Sequence, residues 1–244
     1  MFDHVTIRVS DREASERFYE TVLGTLRVAK TYSGGDFAEW NDFSLAQSSE
    51  ANPVTRRLHL GFWAPSRARV DEFWRVGTEA GYRDDGEPGP RPQYRADYYG
   101  GFLLDPDGNS AEAVHYGATR DPGQVDHLWI RVADLAAAAG FYERAAPYSG
   151  FRRSWTGERP DRVGFSAGTA SFSVVEDGAP TEHAHVAFSV RDNATVDEFH
   201  RALTESGFRD NGAPGERSVY HAGYYAAYVL DADGNNIEAV CHNR

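Results

Sequence analysis

The chain has 244 residues, 41% of them apolar and 13% aromatic, with 24 glycines and 11 prolines, a profile that excludes disordered, collagen-like and coiled-coil proteins. Its 37 acidic residues against 25 basic ones leave a formal charge of −12, and no run of Lys or Arg builds a phosphate-tracking surface against that field, which argues against nucleic acid as a partner. The single cysteine, Cys241, permits no internal disulfide, the start MFDHVTIRV lacks the pattern of an export signal, and no apolar stretch approaches the ~20 residues of a membrane helix. A cytoplasmic protein that does not span a membrane is expected.

The chain repeats itself. DHVTIRVSD at 3–11 returns as DHLWIRVAD at 126–134, an offset of 126 − 3 = 123. From the middle of each half the offset becomes 126: HLGF at 59–62 answers HVAF at 185–188, GYRDDGEPGPR at 81–91 answers GFRDNGAPGER at 207–217, and LLDPDGNSAEAV at 103–114 answers VLDADGNNIEAV at 229–240. Such self-similarity signals duplication. It predicts domains over 1–117 and 125–244 joined by a linker at 118–124, within the Gly- and Pro-containing GATRDPGQ.

Within each copy a shorter theme appears twice. HVTIRV alternates His4, Thr6 and Arg8 on one face with Val5, Ile7 and Val9 on the other, which predicts a strand with one face in a core. A helix follows, with Ser10-x-x-Glu13 read as its capping box and Ala14, Phe18 and Val22 as its inward stripe. Short strands rich in Phe, Trp and Ser are expected around 36–47. The theme then restarts with a strand at 58–63, a helix from about Ser66 to Ala80 with Val70, Phe73, Trp74 and Gly77 inward, and Gly81 as its stop. A Tyr-rich hairpin closed by Asp107-Gly108 ends the copy. GEPGPR and GAPGER lack a following helix N-terminus and read as rigid turns rather than phosphate loops. The unit is β-α-β-β-β, used four times: an α+β protein with polar residues on the concave sheet faces and helices on the convex ones.

Chemistry-bearing residues recur on the concave face. His4, His59 and Glu112 of the first copy answer His127, His185 and Glu238 of the second. Two imidazoles and a carboxylate on neighbouring strands form a facial triad with open coordination positions for substrate, water or O2. A carboxylate facing a concave interior is costly unless its charge is paired.

These residues carry a resemblance to the vicinal oxygen chelate superfamily, which includes glyoxalase I, bleomycin- and fosfomycin-resistance proteins, methylmalonyl-CoA epimerase and extradiol dioxygenases. DHVTIRV and DHLWIRV, the histidines of HLGF and HVAF, and the closing DPDGNSAEA and DADGNNIEA are its marks. The resemblance implies tandem domains of two βαβββ modules each, forming partly closed, cup-shaped sheets. It also implies a divalent metal, Fe(II), Mn(II), Ni(II) or Zn(II), up to two per chain, with His4, His59, Glu112, His127, His185 and Glu238 as ligands. The expected function is that of a metal-dependent dioxygenase or lyase/isomerase on a small oxygenated metabolite that chelates the metal. The alternative is a binding protein that sequesters an aromatic antibiotic. A monomer or homodimer with a small-molecule ligand fits both.

Around the triads, Arg8 and Arg131 share the histidine face and suit an anionic oxygen, and Trp129, between His127 and Arg131, suits ligand stacking. Copy two also resembles the closing motif of extradiol dioxygenases, which places His221 and Tyr228 as an acid–base pair; copy one has Arg95 and Phe102 at those places. Tyr98, Tyr99, Tyr224 and Tyr225 read as hairpin packing with hydroxyls in water. His115, His242 and Cys241 read as surface or strand-end residues. Only Gln47 and Glu176 stand where a fourth ligand would come from, so a three-ligand site is expected. The first histidine of each copy can serve its own copy or the other. The swapped pairing, His4/His185/Glu238 and His127/His59/Glu112, is preferred because the tandem looks like a fused dimer.

Overall fold

In the computed structural model, residues 2–117, 125–155 and 160–243 are described, so the linker expected at 118–124 lies outside them. The βαβββ module recurs four times. The first holds β1 (Phe2–Val9), α1 (Arg12–Thr25), β2 (Tyr32–Gly34), β3 (Phe37–Trp40) and β4 (Phe43–Gln47). The second holds β5 (His59–Trp63), α2 (Arg67–Glu79), β6 (Arg83–Pro90), β7 (Tyr99–Leu104) and β8 (Ser110–His115). In the third are β9 (Val125–Arg131), α3 (Leu135–Ser149), β10 (Arg152–Trp155), β11 (Arg162–Ala167) and β12 (Ala170–Val175). The fourth has β13 (His185–Ser189), α4 (Asn193–Thr204), β14 (Asp210–Glu216), β15 (Tyr225–Leu230) and β16 (Asn236–Cys241).

The compact units are not the repeated segments. Unit 1 joins Met1–Val5 to Trp129–Arg244, and unit 2 is Thr6–Leu128. In unit 1, β14-β15-β16-β13 lie side by side with the start of β1 next in order, and β10-β11-β12 lie beside the end of β9. In unit 2, β6-β7-β8-β5 are followed by the start of β9, and β2-β3-β4 by the rest of β1. The sheets are open and mixed: β5 runs parallel to β8, and β13 to β16, while the hairpins are antiparallel.

The expected inward residues are in place, with local differences. Val5, Ile7, Val9, Phe18 and Val22 are fully buried, whereas Ala14, at the first turn of α1, is half-buried. The α1 cap is Asp11, whose Oδ1 accepts from Ala14 N at 2.9 Å, rather than the capping box at Ser10. Aspartate satisfies an orphan N–H as well as serine does, and here the helix starts one residue later. On α2, Val70, Phe73 and Gly77 are buried, while Trp74 lies at the rim and gives its Nε1–H to Asp84 at 2.7 Å. Gly81 stops the helix at φ +88°, the left-handed region that favours glycine. GEPGPR and GAPGER are not turns: they lie in β6 and β14, strands with register shifts about Gly86 and Gly212. Both strands end their order of pairing, where a proline forfeits no ladder hydrogen bond, and glycine admits the bulge.

The repeated D-x-D-G-N motif explains how the closing strands acquire their register. Asp105 is buried and accepts the N–H groups of Asp107 and Asn109 at 2.9 and 2.8 Å and the hydroxyl of Tyr19 at 3.1 Å. Asn109 in turn accepts from Leu58 N at 3.1 Å. The turn is thus tied to both α1 and the entrance of β5, and the parallel register that follows sets His59 opposite Ser110 and Gly61 opposite Glu112. In unit 1, Tyr142 donates to Asp231 at 2.9 Å, Asn235 accepts from Ala184 N at 3.0 Å, and Ala187 stands opposite Glu238. Burial pushes Asp105 up to about 6 and raises Asp231 as well, so the tyrosine donors matter. Replacing Tyr142 with Phe leaves Asp231 short of one donor at full burial and should destabilise unit 1 by about 1–3 kcal/mol. A lower urea midpoint for Tyr142→Phe checks this; an unchanged midpoint would show that the bond contributes nothing.

Candidate metal centre

Two triads form, one inside each unit, and both follow the swapped pairing. His4, His185 and Glu238 lie together in unit 1, and His59, Glu112 and His127 in unit 2, with one donor atom from each residue within 4.8 Å of the others. In unit 2, Glu112 Oε2 is 3.0 Å from His59 Nε2 and 3.2 Å from His127 Nε2, and the two Nε2 atoms are 3.2 Å apart. In unit 1, Glu238 Oε2 is 2.7 Å from His185 Nε2 and 3.5 Å from His4 Nε2. The carboxylates are oriented from behind: Tyr98 donates to Glu112 Oε1 at 2.8 Å and Tyr224 to Glu238 Oε1 at 2.7 Å. These tyrosines escaped the sequence reading, which put their hydroxyls in water. Their recurrence at offset 126 beside a buried acid was the available signal. Tyr99 and Tyr225, on the other face, bond Asp71 and Asp197 at 2.7 and 2.9 Å.

Burial would raise the glutamates, but hydrogen bonds and charge from the histidines win. Glu112 is held down at about 2 and Glu238 falls well below the usual range. The histidines respond in the opposite sense. Burial opposes their charged forms, yet the adjacent carboxylates raise His4 to about 9 and His127 to about 10.

The two triads differ in depth. The side chains of His59 and His127 are 7% and 8% exposed, those of His185 and His4 14% and 22%. Gly61 and Gly100 account for the tight fit of unit 2. A Cβ on Gly61 would come within 2.2 Å of the His127 ring, and one on Gly100 within 2.3 Å of Glu112 Oε1. At the corresponding positions, 61 + 126 = 187 and 100 + 126 = 226, unit 1 carries Ala187 and Ala226, both fully buried and packed with Tyr224 and Val240.

The remaining sequence candidates fall as follows. Tyr228 lies opposite Glu238 across the β15–β16 ladder, edge-on to the His185 ring at 6.2 Å, with the Arg217 guanidinium 5.5 Å over its own ring. Burial and the Glu238 charge raise its phenol above the usual value. His221 has both ring nitrogens engaged, Nδ1 with Ala222 O at 2.8 Å and Nε2 with His242 Nδ1 at 2.9 Å. His242 is not a mere strand-end residue: its Nε2 reaches Asp3 Oδ2 at 2.8 Å. Cys241 is buried rather than at the surface. Arg8 lies in unit 2 and Arg131 in unit 1, both half-buried, their main-chain N–H groups held at 2.9 Å by Thr55 and Thr181. Trp129 carries the Arg162 guanidinium on its ring at 4.7 Å. Gln47 and Glu176 anchor helix starts instead of serving as fourth ligands: Gln47 accepts from Arg12 N at 3.0 Å and donates to Val9 O and Ser10 O, and Glu176 accepts from Leu135 N at 3.2 Å.

Four βαβββ modules with a His/His/Glu triad in each unit define a tandem protein of the α+β class. The model of the Glyoxalase/Bleomycin resistance protein/Dioxygenase superfamily matches residues 1–113 and 124–239, and the chain belongs to that superfamily. Its fold is similar to that of glyoxalase I from Zea mays, at 17% identity and a TM-score of 0.72 over 99% of this chain and 92% of that one. It is also similar to a candidate dioxygenase from Bacillus subtilis subsp. subtilis str. 168, at 16% identity and a TM-score of 0.65 over 100% and 85% of the two chains. No curated protein sequence matches it.

Two predictions follow from the triad geometry. Gly61→Ala should expel the His127 ring and lower metal uptake at the unit 2 triad while sparing the unit 1 triad, read as the loss of one of two steps in a Co(II) titration; two unchanged steps would contradict the crowding argument. The second concerns pH. His4 and His127 have folded values of about 9 and 10 against roughly 6.5 in an unfolded chain. Their contribution to stability is therefore complete below the unfolded value and lost as pH rises toward the folded one. The melting temperature of metal-free protein should fall between pH 7 and pH 10 as measured by calorimetry, and a flat profile would refute it.

Proposed function

We propose that the chain is a divalent-metal-dependent enzyme acting on a small metabolite with vicinal oxygens, and that the unit 1 triad does the chemistry. The observation that carries this is the donor set: two imidazole Nε2 atoms converge on one oxygen of a buried carboxylate whose other oxygen is engaged by a tyrosine. Three such donors on strands suit a divalent transition metal that keeps positions open for ligand oxygens. When bound, the metal supplies Lewis acidity or an O2-activating centre.

The protein's own groups do the rest. Tyr224 holds Glu238 so that Oε2 faces the histidines. Tyr228, kept protonated by burial and the nearby carboxylate, is placed to donate a hydrogen bond to a ligand oxygen, and Arg217 fixes its ring. Trp129 and Arg131 are our candidates for holding the substrate in unit 1, and Arg8 for an anionic group at unit 2. The greater exposure of the unit 1 triad and the presence of Tyr228 where unit 2 has Phe102 favour unit 1 as the working site. A free, buried Cys241 suits the reducing conditions of a cytoplasmic enzyme. Among the described residues, no helix is long and apolar enough to cross a membrane.

The test combines element analysis with a substrate screen. Protein purified without chelators should carry a stoichiometric transition metal, with one equivalent lost in Glu238→Gln and one in Glu112→Gln. Against catechols, 2-oxoaldehyde–thiol adducts and acyl-CoA epimers, Glu238→Gln should abolish turnover. Tyr228→Phe should lower it by about 10²–10⁴-fold at unchanged metal content. No bound metal together with tight uptake of a flat aromatic drug would replace the enzyme reading by sequestration.

A further inference from the structure

The side of His4 turned away from Glu238 is the start of a chain of charged and ionisable groups. His4 Nδ1 lies 2.9 Å from Asp3 Oδ1, Asp3 Oδ2 lies 2.8 Å from His242 Nε2, and His242 Nδ1 lies 2.9 Å from His221 Nε2. His221 Nδ1 ends the chain on Ala222 O at 2.8 Å. Ala222 O only accepts, so His221 Nδ1 donates to it, and the two carboxylate oxygens of Asp3 face one imidazole nitrogen each, so that His4, Asp3, His242 and His221 are joined end to end.

Unit 2 builds the same support from different groups. At the places of Asp3, His242 and His221 stand Asp126, 242 − 126 = Tyr116, and 221 − 126 = Arg95. Tyr116 gives its hydroxyl to both Asp126 oxygens at 2.5 Å, and the Arg95 guanidinium lies 5.0 Å over the Tyr116 ring. Asp126 Oδ2 is 3.8 Å from His127 Nδ1, longer than a hydrogen bond. A phenol with a guanidinium over its ring thus stands in one unit where two hydrogen-bonded imidazoles stand in the other.

We propose that Asp3, His242 and His221 are positioning residues for His4: His221 braces His242, His242 fixes one oxygen of Asp3, and the other oxygen holds the His4 ring by Nδ1 with Nε2 turned to the triad. Outer partners of this kind set the tautomer and basicity of a ligating histidine, and their loss costs about 10–100-fold in metal affinity. The assignment changes the part played by His221. With both nitrogens committed, it acts through His242 and Asp3 rather than on a bound molecule. The inference rests on the metal reading of the unit 1 triad.

The experiment is a Co(II) titration followed by visible absorption, in a Glu112→Gln background that leaves the unit 1 triad alone. His242→Ala and Asp3→Asn should each weaken Co(II) binding by about 10–100-fold. His242→Tyr, which copies the Tyr116 arrangement, should restore it. His242→Ala in a Glu238→Gln background, which leaves the unit 2 triad, should bind Co(II) as its parent does. Undiminished binding in His242→Ala, or His242→Tyr binding no better than His242→Ala, would overturn the proposal. So would an equal loss at both triads, which would mark a general failure of the fold. If Glu112→Gln does not fold, the two steps of the titration in the otherwise unaltered chain give the same readings. Absence of Co(II) binding in the unaltered protein would overturn the metal reading and this inference with it. Binding that ignores His242 would overturn this inference alone.

Discussion

A carboxylate with almost no contact with water organises each unit. Glu238 is 0% exposed and Glu112 1%, and an ionised carboxylate at that depth is tolerated only with opposite charge and hydrogen bonds around it. Much of the local structure can be read as meeting that demand. The tyrosine hydroxyls take one oxygen, the imidazoles take the other, and the parallel register of β5 with β8 and of β13 with β16 brings histidine and glutamate to the same face. The D-x-D-G-N turn precedes the glutamate by a few residues because it is the device that sets this register. What looks in the sequence like an acidic motif is a buried turn whose aspartate never reaches the triad.

The fold was legible because its signals are local and repeated. Alternation over HVTIRV, four-residue spacing along α1 and α2, and glycine stops each act within a dozen residues, and duplication shows each of them twice. What the sequence left unread are roles that depend on a partner distant in sequence. Nothing near Gln47 tells that its amide reaches Val9, Ser10 and Arg12, and nothing near His242 points to Asp3, 239 residues away. The Pro-Gly segments failed for another reason: a strand at the end of a pairing order dispenses with the N–H groups and regular register by which strands are ordinarily recognised.

The triads were legible as six residues, and their division into two only as a preference for the swapped pairing. Copy-to-copy comparison reports which positions matter, and His4 and His127 satisfy it equally under either pairing. The choice is made by strand order. β1 enters unit 1 with Met1–Val5 and leaves it before Thr6, so His4 is delivered to the strands that carry His185 and Glu238, whereas Val125–Leu128 deliver His127 to the other unit. Each triad therefore draws on both copies of the duplicated sequence, and neither copy contains a complete triad.

That sharing bears on how the copies could diverge. Each triad takes a histidine from one copy and a His/Glu pair from the other, so each copy supplies residues to both triads, and the six residues are the same in kind in both. The differences are found instead one layer out: Gly61 and Gly100 against Ala187 and Ala226, Phe102 against Tyr228, Tyr116 and Arg95 against His242 and His221. Unit 1 carries methyl groups at the two positions where a Cβ would collide with the His127 ring and the Glu112 carboxylate in unit 2, and its histidines are more exposed. Depth, hydrogen-bond donors and local charge can all be changed at these positions without altering a single triad residue. In a duplicated fold with interlocked triads, these positions are where one triad can be made to differ from the other.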